Sequence, residues 1–256
     1  MPAENIVKQI YRPVAMVGQV YAKPWNSAAG LAPIGNVLEL VTEYKEDVET
    51  QDDMTVAGGA IHAERRRVTG ATVKAKLADI SIVNLARAVY GVIDEKDAAT
   101  ITDREYTAYL GALLPLPYIG MTGVTLKTGA DVATATAVTA PGNFEVRPEG
   151  IWFLPTASGL TNGAKIWVSG SHVDQVVVEH LVTKAPELQM RYAGINEVMQ
   201  GGAAVVDLWR VSQGVTKQLA LIQPKGFMNL EVEGSLLQDP TITGAGVSKF
   251  MRTTWL

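Results

Sequence analysis

Apolar side chains in this chain recur mainly at every second position, a period that fits one buried face of a strand and no face of a helix. Leu38, Leu40, Thr42 and Tyr44 share one parity, with Glu39, Glu43 and Lys45 on the other. Val73, Ala75 and Leu77 alternate in the same way with Thr72, Lys74 and Lys76. After Pro186 the pattern returns, with Leu188, Met190 and Tyr192 set against Gln189 and Arg191. Phe144–Leu154, interrupted by a turn at Pro148-Glu149-Gly150, and Ala164–Ser169, His172–Thr183, Val205–Ser212, Gln218–Gln223 and Phe227–Val232 also read as strands. One-sided alternation marks antiparallel sheets with one wet face. Helical spacing occurs once: Ile82, Leu85, Ala86 and Val89 fall at i, i+3, i+4 and i+7, with Asp79 placed to cap and Gly91 to stop. The expected fold is mainly β, sandwich or barrel-like, with one main α-helix of about three turns.

Composition narrows the chemistry. The chain has 256 residues and no Cys, which excludes disulfide scaffolds, thiol nucleophiles and iron–sulfur clusters. Its formal charge of -4 has the wrong sign for gripping phosphate backbones over a broad face. Only 19% of residues are charged while 47% are hydrophobic, so a lone subunit exposes an apolar surface and self-association is expected. The start, Met1–Tyr21, lacks the order of a signal peptide, and the uncharged run Tyr106–Leu126 is broken by Gly111, Pro115, Pro117, Gly120 and Gly123. No straight membrane helix survives that spacing.

Catalytic candidates are sparse. His172, Asp174 and His180 share parity, yet the two histidines lie about 27 Å apart if one straight strand holds them, too far for one metal. His62 reads as solvated, and no G-x-S-x-G, P-loop or G-x-G-x-x-G fingerprint occurs. No catalytic, cofactor or metal site is expected. The charge clusters are stronger signals. Between Glu43 and Asp53 stand six acids (Glu43, Glu46, Asp47, Glu49, Asp52, Asp53) and one base (Lys45), a local charge of −5, and Arg65, Arg66 and Arg67 follow. The polar segment Glu46–Ala63 is expected as a long loop whose acids meet a basic rim on another copy.

The order of elements resembles the tail tube (major tail) proteins of bacteriophages with long, non-contractile tails. The resemblance rests on Ile34-Gly35-Asn36-Val37-Leu38-Glu39-Leu40 after a short N-terminal arm, the long polar loop, and the returning strand ending Lys74-Ala75-Lys76-Leu77-Ala78-Asp79. It extends to the helix Ser81–Gly91, the middle runs Ile151-Trp152-Phe153 and Gly163-Ala164-Lys165-Ile166-Trp167-Val168, and the closing run Gly226–Asp239. Residues 1–92 then hold the arm, first hairpin, stacking loop and helix of the tube domain, 144–256 its remaining strands, and 93–143 an external insertion.

The resemblance implies a structural virion protein and no enzyme: hexameric rings stacked into a tube that conducts DNA into the host. It implies an inter-ring loop over Lys45–Arg65, with Glu46, Asp47, Glu49, Asp52, Asp53, Arg65, Arg66 and Arg67 at the contact. Lumen-facing candidates are Glu39, Glu43, Thr72, Lys74, Lys76, Gln189 and Arg191. Six subunits of about four strands give a barrel near 48 Å across, wide enough for duplex DNA. Implied partners are further copies of the chain, a tape measure protein inside the tube, terminator and distal tail or baseplate proteins at its ends, and DNA in passage without specific binding; no membrane or cofactor is implied. The implied location is the virion tail, after assembly in the host cytoplasm. The inner tube of a contractile tail or secretion system is the alternative within the same fold. A β-sandwich binding module or glycosidase is the alternative from another class, and the five Trp (Trp25, Trp152, Trp167, Trp209, Trp255) are too scattered to announce its concave site.

Overall fold

The computed structural model describes residues 14–55, 57–198, 202–222 and 224–256. Residues 1–13, read in the sequence as the start of an N-terminal arm without the order of a signal peptide, lie outside them. In chain order the elements are β1 (Met16–Pro24), β2 (Ala32–Pro33), β3 (Val37–Asp53), β4 (Ala60–Leu77), α1 (Ile82–Ala88), β5 (Val92–Lys96), β6 (Ala99–Ala108), β7 (Leu113–Pro115), β8 (Thr122–Thr128) and β9 (Thr136–Val138). They continue with β10 (Phe144–Arg147), β11 (Gly150–Phe153), β12 (Ala164–His172), β13 (Gln175–Glu179), β14 (Glu187–Asn196), β15 (Ala203–Gln213), β16 (Leu230–Leu236) and β17 (Met251–Trp255). The protein is mainly β, with one helix among the described residues. That helix is too short and polar to cross a membrane, and no other described segment is a candidate helical span.

Two compact units divide the chain, one of Met1–Val92 with Val178–Leu256 and one of Ile93–Val177. The first is built on an antiparallel sheet in the order β2-β1-β14-β15-β16-β4-β3. Strand β15 gives the edge at Val211–Gln213 to β16 and Ala204–Leu208 to β17. Alternation explains its core. Val20, Ala22, Val73, Leu188, Met190, Leu208, Val211 and Leu236 project from one face and are buried together. Burying side chains of this size stabilises by roughly 1.5–3 kcal/mol each before conformational entropy is counted.

Several sequence expectations need correction here. The helix is two turns rather than three, and Ser81, not Asp79, caps it: Ser81 Oγ accepts from the Asn84 amide at 3.1 Å. Asp79 instead accepts from the Asn36 amide at 2.8 Å. Ile82 is exposed, and Asn84, Ala86 and Ala88 face inward. The cause is Asn84, whose Nδ2 donates to the Ile34 carbonyl at 2.7 Å and sets the rotation of the helix. Residues 218–222 form no strand, and the strand expected from Phe227 begins only at Leu230. Conversely β1, expected as part of an arm, lies between β2 and β14 within the sheet, and β17 was not expected at all.

The second unit contains a three-stranded sheet β10-β11-β7 and a four-stranded sheet β6-β12-β8-β9, around a core that includes Leu126, Phe144, Ile151, Phe153, Ile166 and Val168. Strands β5 and β13 pair separately. Its extent corrects the expected boundary at 143/144, because Phe144–Leu154 and Ala164–Ser169 belong with the preceding segment. The segment 93–143 carried little signal because its strands are short and punctuated by glycines at positive φ, among them Gly111, Gly120 and Gly129.

Candidate functional site

Charged side chains concentrate in the first unit, at the outer reach of β3 and β4 and on the sheet face away from the core. Strand β16 pairs with β4 only over Thr72–Leu77. Beyond Lys45 and Gly70 the two long strands run on together as a ribbon, from Glu46 opposite Val68 to Asp53 opposite Ala60. This corrects the expected loop over Glu46–Ala63: among the described residues the segment is the outer part of a β-hairpin, with turn at 54, 55, 57 and 58. Eight residues of strand project about 26 Å.

The ribbon forms without a core because its charges match across it. Asp47 stands opposite Arg67 and Glu49 opposite Arg65, and ion pairs join Arg65 to Glu49 at 3.5 Å and Arg66 to Glu46 at 3.6 Å, with Arg66 also held by Glu64. The acids and the arginine triplet therefore meet first within one chain, not on another copy as the sequence led one to expect. Exposed pairs of this kind contribute at most about 1 kcal/mol each. At the tip, the Asp53 carboxylate accepts from the Thr55 hydroxyl at 2.6 Å and amide at 2.8 Å, which holds its pKa below the ordinary value. Asp53 is partly buried there while Asp52 is exposed, and Gly58 and Gly59 turn the chain at φ of 109° and 70°.

The register puts all of the lumen-facing candidates on one face of the sheet. Glu39 lies opposite Lys76 and Glu43 opposite Thr72; Lys76 and Lys74 lie opposite Glu231 and Glu233. Gln189 and Arg191 share the parity opposite to buried Leu188 and Met190. On this face nearly every cation has an acid. Lys74 Nζ is 2.7 Å from Glu43, Lys76 is 3.0 Å from Glu231, and Lys217 is 2.7 Å from Glu233. Arg191 and Arg252 reach the two oxygens of buried Asp207 at 2.5 and 3.2 Å, and Arg210 meets Glu187 at 2.8 Å. The pairing raises the Lys74 pKa, chiefly through its hydrogen bond to Glu43, and the bond from Lys217 lowers that of Glu233. The sequence missed Glu231, Glu233, Asp207 and Arg252; the two glutamates could have been found, because they alternate with Val232 just as the lysines of β4 do.

The end strands of the sheet are β2 and β3. Because β2 covers only Tyr21 and Ala22 of β1, each side of the sheet ends in strand edge with no described partner. Such an edge is a template for another chain.

The histidines do not converge. His62 is exposed on the ribbon. His172 is buried, stacked on Tyr118 with ring centroids 3.7 Å apart. The segment His172–Thr183 is not one straight strand, since β12 ends at His172 and β13 begins at Gln175; Asp174 between them accepts from the Ala98 amide at 2.6 Å. Among the described residues no group of three metal-ligating side chains gathers. Four of the tryptophans carry a cation over the ring: Arg210 over Trp25, Arg147 over Trp152, Lys165 over Trp167 and Arg252 over Trp209.

No curated protein matches the chain. A family model does match, over residues 13–254, nearly its whole length. The chain, with its projecting ribbon and ion-paired sheet face, belongs to the family described as Protein of unknown function UCP028589.

Proposed function

We propose that this protein is the tube subunit of a long, non-contractile phage tail, assembling as stacked hexameric rings around a channel for DNA. The observation that carries the reading is the ribbon. A two-stranded hairpin with water on both faces is marginal by itself, and one this long is retained where another molecule receives it. In the tube, that molecule is the subunit of the next ring.

Two further features support the reading. A sheet with open edges on both sides joins neighbours edge to edge, and a head-to-tail contact of that kind closes into rings when the rotation fits. The ion-paired face suits the bore, because a face with few free cations releases few counterions from DNA and lets it slide. In this reading a tape measure protein occupies the bore before DNA does, and terminator and distal tail proteins cover the two ends.

Negative-stain electron microscopy of the purified protein tests the proposal. Hollow tubes or stacked rings are expected. A monodisperse monomer at high concentration contradicts it.

A further inference from the structure

We infer that the tip of the ribbon in one copy docks on the apolar loop side chains Leu221, Ile222 and Phe227 of a second copy. The inference rests on the stacking reading and names the surface that receives the ribbon.

The two surfaces lie at opposite ends of the same strands. The tip is the turn between Asp53 and Ala60. The loop lies at the other end, because it leads into Leu230, which stands opposite Leu77, and Leu219 before it packs against Leu77, Ala88 and Leu230. Along β4 the separation is about 55 Å. A contact between features at opposite ends of one molecule is head-to-tail, and it propagates as an open stack.

Both surfaces are apolar where no described residue covers them. Met54 is 91% and Ile61 61% exposed at the tip, and Leu221 is 78%, Ile222 93% and Phe227 90% exposed in the loop. Side chains this large, grouped this far out, mark an interaction surface. Their charges are complementary as well. Outside the ion pairs within the chain, the tip keeps the acids Asp52 and Asp53, whereas the loop carries Lys225 and no acid. Opposite charges around an apolar contact fix its orientation and reject tip-to-tip pairing.

The absence of Cys makes the test clean. Chains carrying Met54→Cys are mixed with chains carrying Phe227→Cys and treated with a flexible bismaleimide. The mixture is expected to give a cross-linked pair that neither variant gives alone, and the double variant to give a ladder of multimers. In parallel, Ile222→Glu with Phe227→Glu is expected to shorten stacks at least tenfold in electron micrographs, with an unchanged thermal midpoint showing that the variant folds. If wild-type protein stacks but the loop variant makes stacks of the same length, or the mixture does not cross-link, the ribbon docks elsewhere and this inference falls while the stacking reading stands. If wild-type protein remains a monomer at high concentration, both fall.

Discussion

Lys74 Nζ lies 2.7 Å from Glu43 Oε1, across the β3–β4 pair and on the sheet face away from the core. With Lys76 held by Glu231 in the same way, the two lysines of β4 are neutralised within one subunit. Replacing Glu43 and Glu231 by Lys removes both partners and adds two cations per chain. On the proposed reading, assembled wild-type protein leaves duplex DNA free. The double variant is expected to retain it, with affinity falling about tenfold or more between roughly 50 and 200 mM salt. Fluorescence anisotropy of a labelled duplex measures both; strong retention by wild-type protein would remove the argument for a sliding channel.

Ser81 holds the cap that the sequence assigns to Asp79, and substitution separates the two. Ser81→Ala is expected to cost about 1 kcal/mol through the lost cap on Asn84. Asp79→Ala costs through the Asn36 amide instead, and leaves helix formation itself intact. Urea unfolding gives the stabilities and amide exchange at Asn84 reports the cap. Protection at Asn84 lost in the Asp79 variant but kept in the Ser81 variant would reverse the assignment.

The same comparison shows where strand signals exist. Strands β4 and β14 were legible because one face is wet and the other packs, so their side chains alternate; β3 alternates in sequence, but a bulge after Val37 leaves Leu38 exposed, Tyr44 is exposed too, and Val37 and Leu40 are what packs on the core. Strand β1 was not, since its core parity passes through Gly18, where a Cβ would meet the Ala193 carbonyl oxygen at 2.2 Å, and a glycine contributes nothing to a hydrophobic pattern. The outer ribbon was illegible for the opposite reason: both faces are wet, so no apolar alternation exists to read. Its signal was charge. Asp47 with Arg67 and Glu49 with Arg65 stand symmetrically about position 57, beside Gly58 and Gly59. The charged face was legible in part, because Glu39, Glu43, Lys74 and Lys76 fall on it by parity, whereas which acid meets which lysine depends on strand order, which local sequence does not carry.

Asp207 is 3% exposed and holds two arginines, Arg191 on β14 and Arg252 on β17. Asp207→Asn keeps the shape and removes the charge. With both arginines half-exposed, the expected loss is about 1–3 kcal/mol, below the value for a fully buried pair. Since Arg252 ties down the last strand, limited proteolysis is expected to clip the variant near its C-terminus first. Equal rates of clipping in variant and wild type would show that β17 is held by its backbone pairing alone.

Asp239 gives a pH-dependent signal. Burial acts to raise its pKa, but hydrogen bonds from the Thr241 hydroxyl and amide and from Trp25 Nε1, with Arg210 nearby, together hold it below 3.8. A carboxylate with a lowered folded pKa contributes stability that is complete above its unfolded value and is lost as pH falls through the folded one. Trp25 fluorescence is therefore expected to stay constant down to pH about 4 and change below it. The change is absent from Trp25→Phe, and a transition centred above pH 5 in wild-type protein would contradict the hydrogen-bonded arrangement.

The ribbon separates folding from assembly. Its described residues beyond Lys45 and Gly70 are absent from the buried core, so the subunit is not expected to depend on them. Replacing Asp47–Arg67 by Asn-Gly joins Glu46 to Val68, which already face each other, through a two-residue turn that suits the twist of the strands. The shortened chain is expected to unfold within a few degrees of the wild-type midpoint, because surface changes away from buried features shift stability by only about 0.5 kcal/mol. Stacking is expected to be lost, with rings still forming through the sheet edges that remain, at β1 and at Val37–Glu46 of β3. Analytical ultracentrifugation distinguishes the outcomes: single rings support the ribbon as the stacking element, whereas tubes of wild-type length assign stacking to another surface.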